Sequence, residues 1–169
     1  MINFKIGDKV VYPNHGVGVI EEIQSKTFGE SESTFYSLRI LANDSTVLVP
    51  TSNTVQVGLR PIIPKKEVSR VWAVLTNEDF AITEDWKGRY QENCERMRTG
   101  SIVDVATVLK TLTFLAQSKN LSYRERKMLD KARYLIVSEI AEVQRAAEAD
   151  VEIQIDKAIT KSFSGRTDH

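Results

Sequence analysis

Side chains able to run nucleophilic, redox or metal chemistry are scarce in this chain. Its two histidines are His15 and the final His169, and its one cysteine is Cys94. A zinc centre needs three or four nitrogen, sulfur or carboxylate ligands, and an activated nucleophile needs a base beside it. His15 lies in Pro13-Asn14-His15-Gly16-Val17-Gly18. That stretch has neither G-x-G-x-x-G nor G-x-x-x-x-G-K spacing, and strand-like residues flank it where a nucleotide site needs a following helix. It reads as a glycine turn. Cys94 falls on the apolar stripe of a helix, where a buried inert thiol is expected. Glu21 and Glu22 are neighbours on a strand, so they point to opposite faces and cannot share a proton. Glu84 and Asp85 suit the first turn of a helix, where the macrodipole favours negative charge. No catalytic residue, metal or cofactor is implied, and the chain reads as a non-enzyme.

The residues that could do chemistry of another kind are basic and aromatic. Segment 87–98 carries Lys87, Arg89, Arg96 and Arg98, and segment 119–133 carries Lys119, Arg124, Arg126, Lys127, Lys131 and Arg133. A helix start presents unpaired N–H groups, and with Arg and Lys beside it can hold a phosphate. Stacking on a base, or wedging between two, further needs an aromatic next to the cations. Trp86, in Asp85-Trp86-Lys87-Gly88-Arg89-Tyr90, is that aromatic. Two readings stand side by side. Trp86, Tyr90, Cys94 and Met97 share one helical stripe and could all be core. Alternatively the indole faces outward among the cations and meets nucleic acid.

The elements that must position these residues follow from composition and periodicity. The chain has 169 residues, 41% apolar and 27% charged, with a formal net charge of zero. That is ordinary for a folded protein of one or two domains. No apolar run reaches the ~20 residues that span a bilayer, so no membrane partner is expected. Met1–Lys9 holds Gly7 and Asp8 where an export signal needs an apolar core, which points to the cytoplasm. Charge is uneven: residues 65–140 hold 14 Lys and Arg against 11 Asp and Glu, and residues 141–169 hold 4 against 6.

Lys9–Tyr12, Val17–Ile23, Thr34–Leu41 and Thr46–Pro50 are rich in β-branched and aromatic residues and are separated by turn formers, so they read as strands; Thr54–Val57 could add a fifth. So many short antiparallel strands suggest a small Tudor- or SH3-like barrel, with Val10, Tyr12, Val19, Ile23, Tyr36, Leu38, Ile40, Val47 and Val49 as its core. Everything after Pro64 has helical period. Val68, Val71, Trp72 and Leu75 lie on one face. Thr83 could cap the Trp86 helix, with Gly100 ending it. Ser101 opens a helix with Ile102, Val105, Ala106, Leu109 and Leu112 inward. Ser122-Tyr123-Arg124-Glu125 is a full capping box before a long helix with Leu129, Ala132, Ile136, Ile140, Val143 and Ala147 inward. Val151, Ile155 and Ile159 suggest a last short helix. The fold class is therefore α+β, an N-terminal antiparallel β-barrel followed by an all-α domain. The expected divisions are a Tudor-like domain at 1–60, a proline linker at 61–64, a helical domain at 65–160 and a tail at 161–169. The apolar positions are about what two small cores consume, which implies a monomer.

Four stretches together resemble the CarD/CdnL family of bacterial RNA polymerase-binding transcription regulators. They are Phe4–Pro13 followed by His15–Gly18, then Val57–Ile62, Trp86–Tyr90 and Leu121–Arg133. The first is also found in the strand-repair translocase; the third and fourth mark the stand-alone regulator. The resemblance implies that the N-terminal domain docks on the β subunit of RNA polymerase through Lys26 and the strand Thr46, Val47, Leu48, Val49 and Pro50. It implies that Trp86 wedges into the minor groove at the upstream edge of the transcription bubble. Lys87 is its immediate basic neighbour, and Arg89, Arg126 and Lys127 match positions that grip the backbone. The chain would thus stabilise the promoter open complex and associate with the nucleoid through polymerase. Gly88 stands where relatives often have a basic residue, Gln91 where some have Lys, and Leu48 at a strand position that is Arg in some members. Because backbone affinity scales with the phosphates neutralised, a neutral chain with few such cations should bind DNA weakly and largely without sequence preference. Docking on polymerase makes such a contact sufficient. The alternative function is a Tudor- or SH3-like interaction adaptor, with a helical partner-binding domain, no direct DNA contact, and Trp86 in its core.

Overall fold

A computed structural model describes residues 3–80 and 85–163. The chain divides into two compact units, residues 1–62 and 63–169.

The first unit is a five-stranded antiparallel sheet. Its strands are β1 (Lys9–Tyr12), β2 (Gly16–Phe28), β3 (Ser31–Ile40), β4 (Thr46–Pro50) and β5 (Arg60–Pro61). They pair in the order β4-β3-β2-β1-β5. β4 and β5 are the two edges and do not pair with one another, so the sheet is not closed into the expected barrel. Pro50 ends one edge strand and Pro61 lies in the other, and proline has no N–H to give a further strand. Phe4, Val10, Ile20, Tyr36, Leu38, Val49 and Leu59 form the core, with Tyr12, Val47 and Val57 packed against it. The β1–β2 turn has Asn14 and Gly16 at positive φ, and His15 stacks on Tyr12 with ring centroids 4.6 Å apart.

Two expected core residues lie elsewhere, and the β2 register explains both. Val19 pairs with Lys9 and Arg39, on the face opposite Ile20 and Leu38. A bulge between Ile20 and Glu22 then returns Ile23 to the inner face, opposite Tyr36. Yet Ile23 is 45% exposed, because β1 pairing stops at Val19 and leaves that edge of β2 without a neighbouring strand. Thr54–Val57 is not a strand but one helical turn, α1, closed by Gly58 at φ +76. A side chain at Gly58 would be strained there, and its Cβ would sit 3.0 Å from the Pro13 ring.

The second unit is helical: α2 (Val68–Thr76), α3 (Trp86–Thr99), α4 (Ile102–Ser118), α5 (Tyr123–Gln144) and α6 (Glu148–Phe163). α4 packs on α2, α3 and α5, and α6 packs on α2 and α5. α3, α4 and α5 each start where a side chain can satisfy free N–H groups. Ser101 accepts from the Asp104 N–H, and Ser122 from the Glu125 N–H. The expected cap Thr83 lies outside the described residues; Asp85 caps α3, accepting the Gly88 N–H at 3.1 Å. The inward stripe of α4 is buried throughout, as are Ala132, Ile136 and Ile140 of α5 and Val151, Ile155 and Ile159 of α6. Ala147 is exposed because Arg145, at φ +54, ends α5 before it. Within residues 61–64, Pro61 belongs to β5, and the Ile63 N–H donates to the buried Glu139 carboxylate at 2.9 Å. Among the described residues no helix is long and apolar enough to cross a membrane.

Candidate functional site

The N-terminal turns of α3 and α5 meet, and their junction holds most of the basic and aromatic residues singled out above. Trp86 is the first residue of α3. It is 39% exposed. Its stripe runs outward to inward along the helix, from Trp86 through the half-buried Tyr90 and Cys94 to the buried Met97. The indole lies nearly parallel to the Tyr90 ring, with centroids 5.6 Å apart and planes 8° from parallel. This is the one-turn neighbour relation that helical spacing allows. Its Nε1–H donates to Ser122 Oγ at 3.4 Å. The hydrogen bond to Cys94, then burial, holds the Tyr90 phenol above its ordinary range, so it stays neutral.

Arg89 is not a surface cation. Its Nε donates to Glu125 Oε2 at 2.8 Å and its Nη2 to Oε1 at 3.2 Å. Arg89 is 8% exposed and Glu125 1%. The guanidinium is thereby turned away from solvent with its Nε–Nη2 edge engaged by one carboxylate, a buried pairing that the expected phosphate grip did not include. The physical reason is the capping box: Glu125 sits at its third helical position, reaches back toward Ser122, and offers both oxygens to α3. Burial alone would push the Glu125 carboxyl up. Hydrogen bonds and charge from Arg89, the Ser122 backbone and the Trp86 side chain outweigh it, so the group is held below the usual carboxylate range and stays ionised.

The remaining cations are where a ligand could reach them. Lys87, Arg124, Arg126 and Lys127 are exposed. Arg124 lies over the Tyr90 ring at 6.0 Å, and Lys127 over the exposed Tyr123 ring at 5.0 Å. The surface thus alternates aromatic faces with positive charge. Sequence reasoning had Glu125 and Ser122 only as a helix start; the pairing of Glu125 with Arg89 carries no signal in one dimension. Tyr123, in the first turn of α5, adds an exposed aromatic face that no local pattern in the sequence marks. Among the described residues, no three His, Cys, Asp or Glu side chains are grouped to hold a metal.

In the sheet unit, Lys26 is exposed and lies 6.0 Å over the Phe35 ring. Among the described residues, β4 pairs with β3 on one side and with no strand on the other. Thr46 and Leu48 point outward, Leu48 being 40% exposed. Val49 is buried and Val47 half-buried against the core, so their side chains are committed inward. Of the expected contact strand, Thr46, Leu48 and Pro50 offer side chains; Val47 and Val49 offer only backbone. Phe35, opposite Pro50, and Phe28, 60% exposed, extend the apolar surface beyond the strand that sequence reasoning identified.

Comparison with known proteins agrees with this two-part layout. Residues 4–63 match the family model described as "CarD-like/TRCF RID domain", and residues 70–156 match "CarD, C-terminal domain". The Bacillus subtilis (strain 168) protein named "Putative transcription factor YdeB" is 32% identical over 148 residues, covering 88% of this chain and 97% of that protein. The solution NMR structure of the 72-residue N-terminal domain of Myxococcus xanthus CarD is 31% identical, covering 36% of this chain and 81% of that one, with a TM-score of 0.31. With both of its units matched in order and a relative aligned over nearly its whole length, the chain belongs to the CarD/CdnL family of transcription regulators.

Proposed function

We propose that this regulator docks on the β subunit of RNA polymerase through its sheet unit and stabilises the promoter open complex through Trp86. Docking uses the free edge of β4, with Thr46, Leu48 and Pro50 beside it, and Lys26 on the neighbouring hairpin. An unpaired strand edge offers a partner a row of backbone donors and acceptors. Trp86 enters the minor groove at the upstream edge of the bubble, where an aromatic face replaces base stacking lost on melting. Lys87, Arg126 and Lys127 take phosphates. Arg89 acts through position rather than through contact.

The observation that carries the reading is the exposed indole, braced on Tyr90 where two helix starts meet, with exposed cations carried by both of those helices. The adaptor alternative requires that ring in the helical core, and its exposure goes against it. Base–aromatic stacking is worth about 1–3 kcal/mol per base. A contact formed only after melting would then lengthen the open-complex lifetime by roughly 5-fold to 150-fold. Trp86→Ala should remove that gain and leave polymerase binding intact. It should cost about 0.5–1.5 kcal/mol of folding stability, the worth of the ring pair, and not the ~3–5 kcal/mol of a core aromatic. Arg126→Ala should weaken the effect evenly across promoters and lower its salt slope by about 1. An unchanged lifetime with folded Trp86→Ala protein on polymerase would refute the wedge.

A further inference from the structure

We infer that the first turn of α5 is a positioning device for the Trp86 ring, with Ser122 holding the indole N–H while the Arg89–Glu125 pair locks the first turn of α3 against it. The inference rests on the proposed DNA contact for its purpose, but not for its geometry. Three independent restraints meet on the same turn of α3. Tyr90 supports one face of the indole. Ser122 Oγ accepts the indole N–H at 3.4 Å, the Glu125 carboxylate lies close enough to draw on the same N–H, and Ser122 Oγ also accepts the Glu125 N–H at 3.1 Å. Three residues on from Trp86, Arg89 closes a two-pronged bond on Glu125. An exposed tryptophan ordinarily samples several rotamers, and each side chain immobilised on binding adds an entropic cost. A ring already fixed by its edge and one face meets its ligand without that cost, so Ser122, Glu125 and Arg89 act as positioning residues for a contact that they do not themselves make.

The restraint can be removed without unfolding the helix. Glycine is nearly as good as serine at an N-cap, so full-length Ser122→Gly keeps the start of α5 and loses only the hydroxyl. Ser122→Thr retains both the cap and the acceptor. Nitrogen-15 NMR of the free protein reads the Trp86 Nε1–H directly, with Trp72 as internal reference. One lost neutral hydrogen bond corresponds to roughly a 2- to 12-fold change in an equilibrium. Exchange of the Trp86 Nε1–H in Ser122→Gly should therefore quicken by about that factor and its resonance should move. Trp72 and the melting temperature should hold, and Ser122→Thr should restore the wild-type values. On polymerase, Ser122→Gly should lose part of the lifetime that Trp86→Ala loses. An unmoved, equally protected Nε1–H in folded Ser122→Gly protein would overturn the latch. So would a released ring that leaves the lifetime at its full value while Trp86→Ala shortens it. If Trp86→Ala itself has no effect on lifetime, the wedge reading fails, and the latch is still decided by the NMR arm.

Discussion

Replacing Arg89 by alanine separates a buried clamp from a surface phosphate contact. The pair is almost fully withdrawn from water, with side-chain exposures of 10% for Arg89 and 2% for Glu125. Both carboxylate oxygens are engaged, at 2.8 and 3.2 Å. Removing one member of such a pair strands the other charge in a low-dielectric site and costs about 3–5 kcal/mol. For a unit of about a hundred residues each kcal/mol moves the melting temperature by roughly 4 °C, so a fall of roughly 12–20 °C is expected. The deficit should also depend on pH in a direction opposite to the wild type. Without Arg89, burial dominates Glu125 and raises its folded-state pKa above the unfolded value. Protonation then favours folding, so Arg89→Ala should recover part of its loss as pH falls toward 5. Calorimetric melts at pH 7 and pH 5 measure both effects. The double variant Arg89→Met/Glu125→Leu should regain most of the stability, since an apolar pair leaves no orphaned charge. If Arg89→Ala melts within about 1 kcal/mol of wild type and instead reduces only the salt-dependent grip on promoter DNA, the clamp is wrong and Arg89 is a phosphate ligand.

The wild-type chain should lose stability in acid through Glu125. Its carboxyl is held below its ordinary value of 4.5, so its contribution is complete above that pH and is lost as pH falls through the lowered value; Glu125→Gln should flatten this part of a melting-temperature profile taken from pH 6 to pH 2. Lys110, 2% exposed, donates to the Val74 and Asn77 carbonyls at 2.7 and 3.2 Å and lies 4.3 Å over the Phe80 ring. Charged hydrogen bonds contribute about 1.5–3 kcal/mol, so Lys110→Met should lower the melting temperature by several degrees without altering polymerase binding, as calorimetry and a pull-down would show. Lys26→Glu together with Leu48→Glu, both at exposed positions, should weaken capture of the polymerase β subunit by the full-length chain at least tenfold while leaving the melting curve in place. Retained binding with a normal fold would exclude the β4 edge as the dock.

Local features of the sequence were sufficient for the helices and most strands, because caps and periodicity act over neighbouring residues. Ser101, Ser122 and Gly100 mark their helix ends by chemistry that needs no partner from elsewhere. The stripes of α4 and α6 bury as their 3.6-residue period requires. Alternation likewise assigned Tyr36, Leu38 and Ile40 to one face of β3. The motif resemblance, running in order from Phe4 to Arg133, was enough for the family. Tertiary structure decided what depends on registers and on distant pairs. The bulge after Ile20 and the end of β1 pairing left Ile23 at an open edge. Gly58 at positive φ closed a helical turn over residues whose β-branching suggests a strand. Above all, Arg89 and Glu125 stand thirty-six residues apart, and each alone resembles an ordinary charged residue on a helix. Only the meeting of two helix starts buries both. That places the residue expected on a phosphate in a buried pair with Glu125, and it leaves the neighbouring indole at the surface, because burial is set by what the other helix covers and not by the identity of the residue.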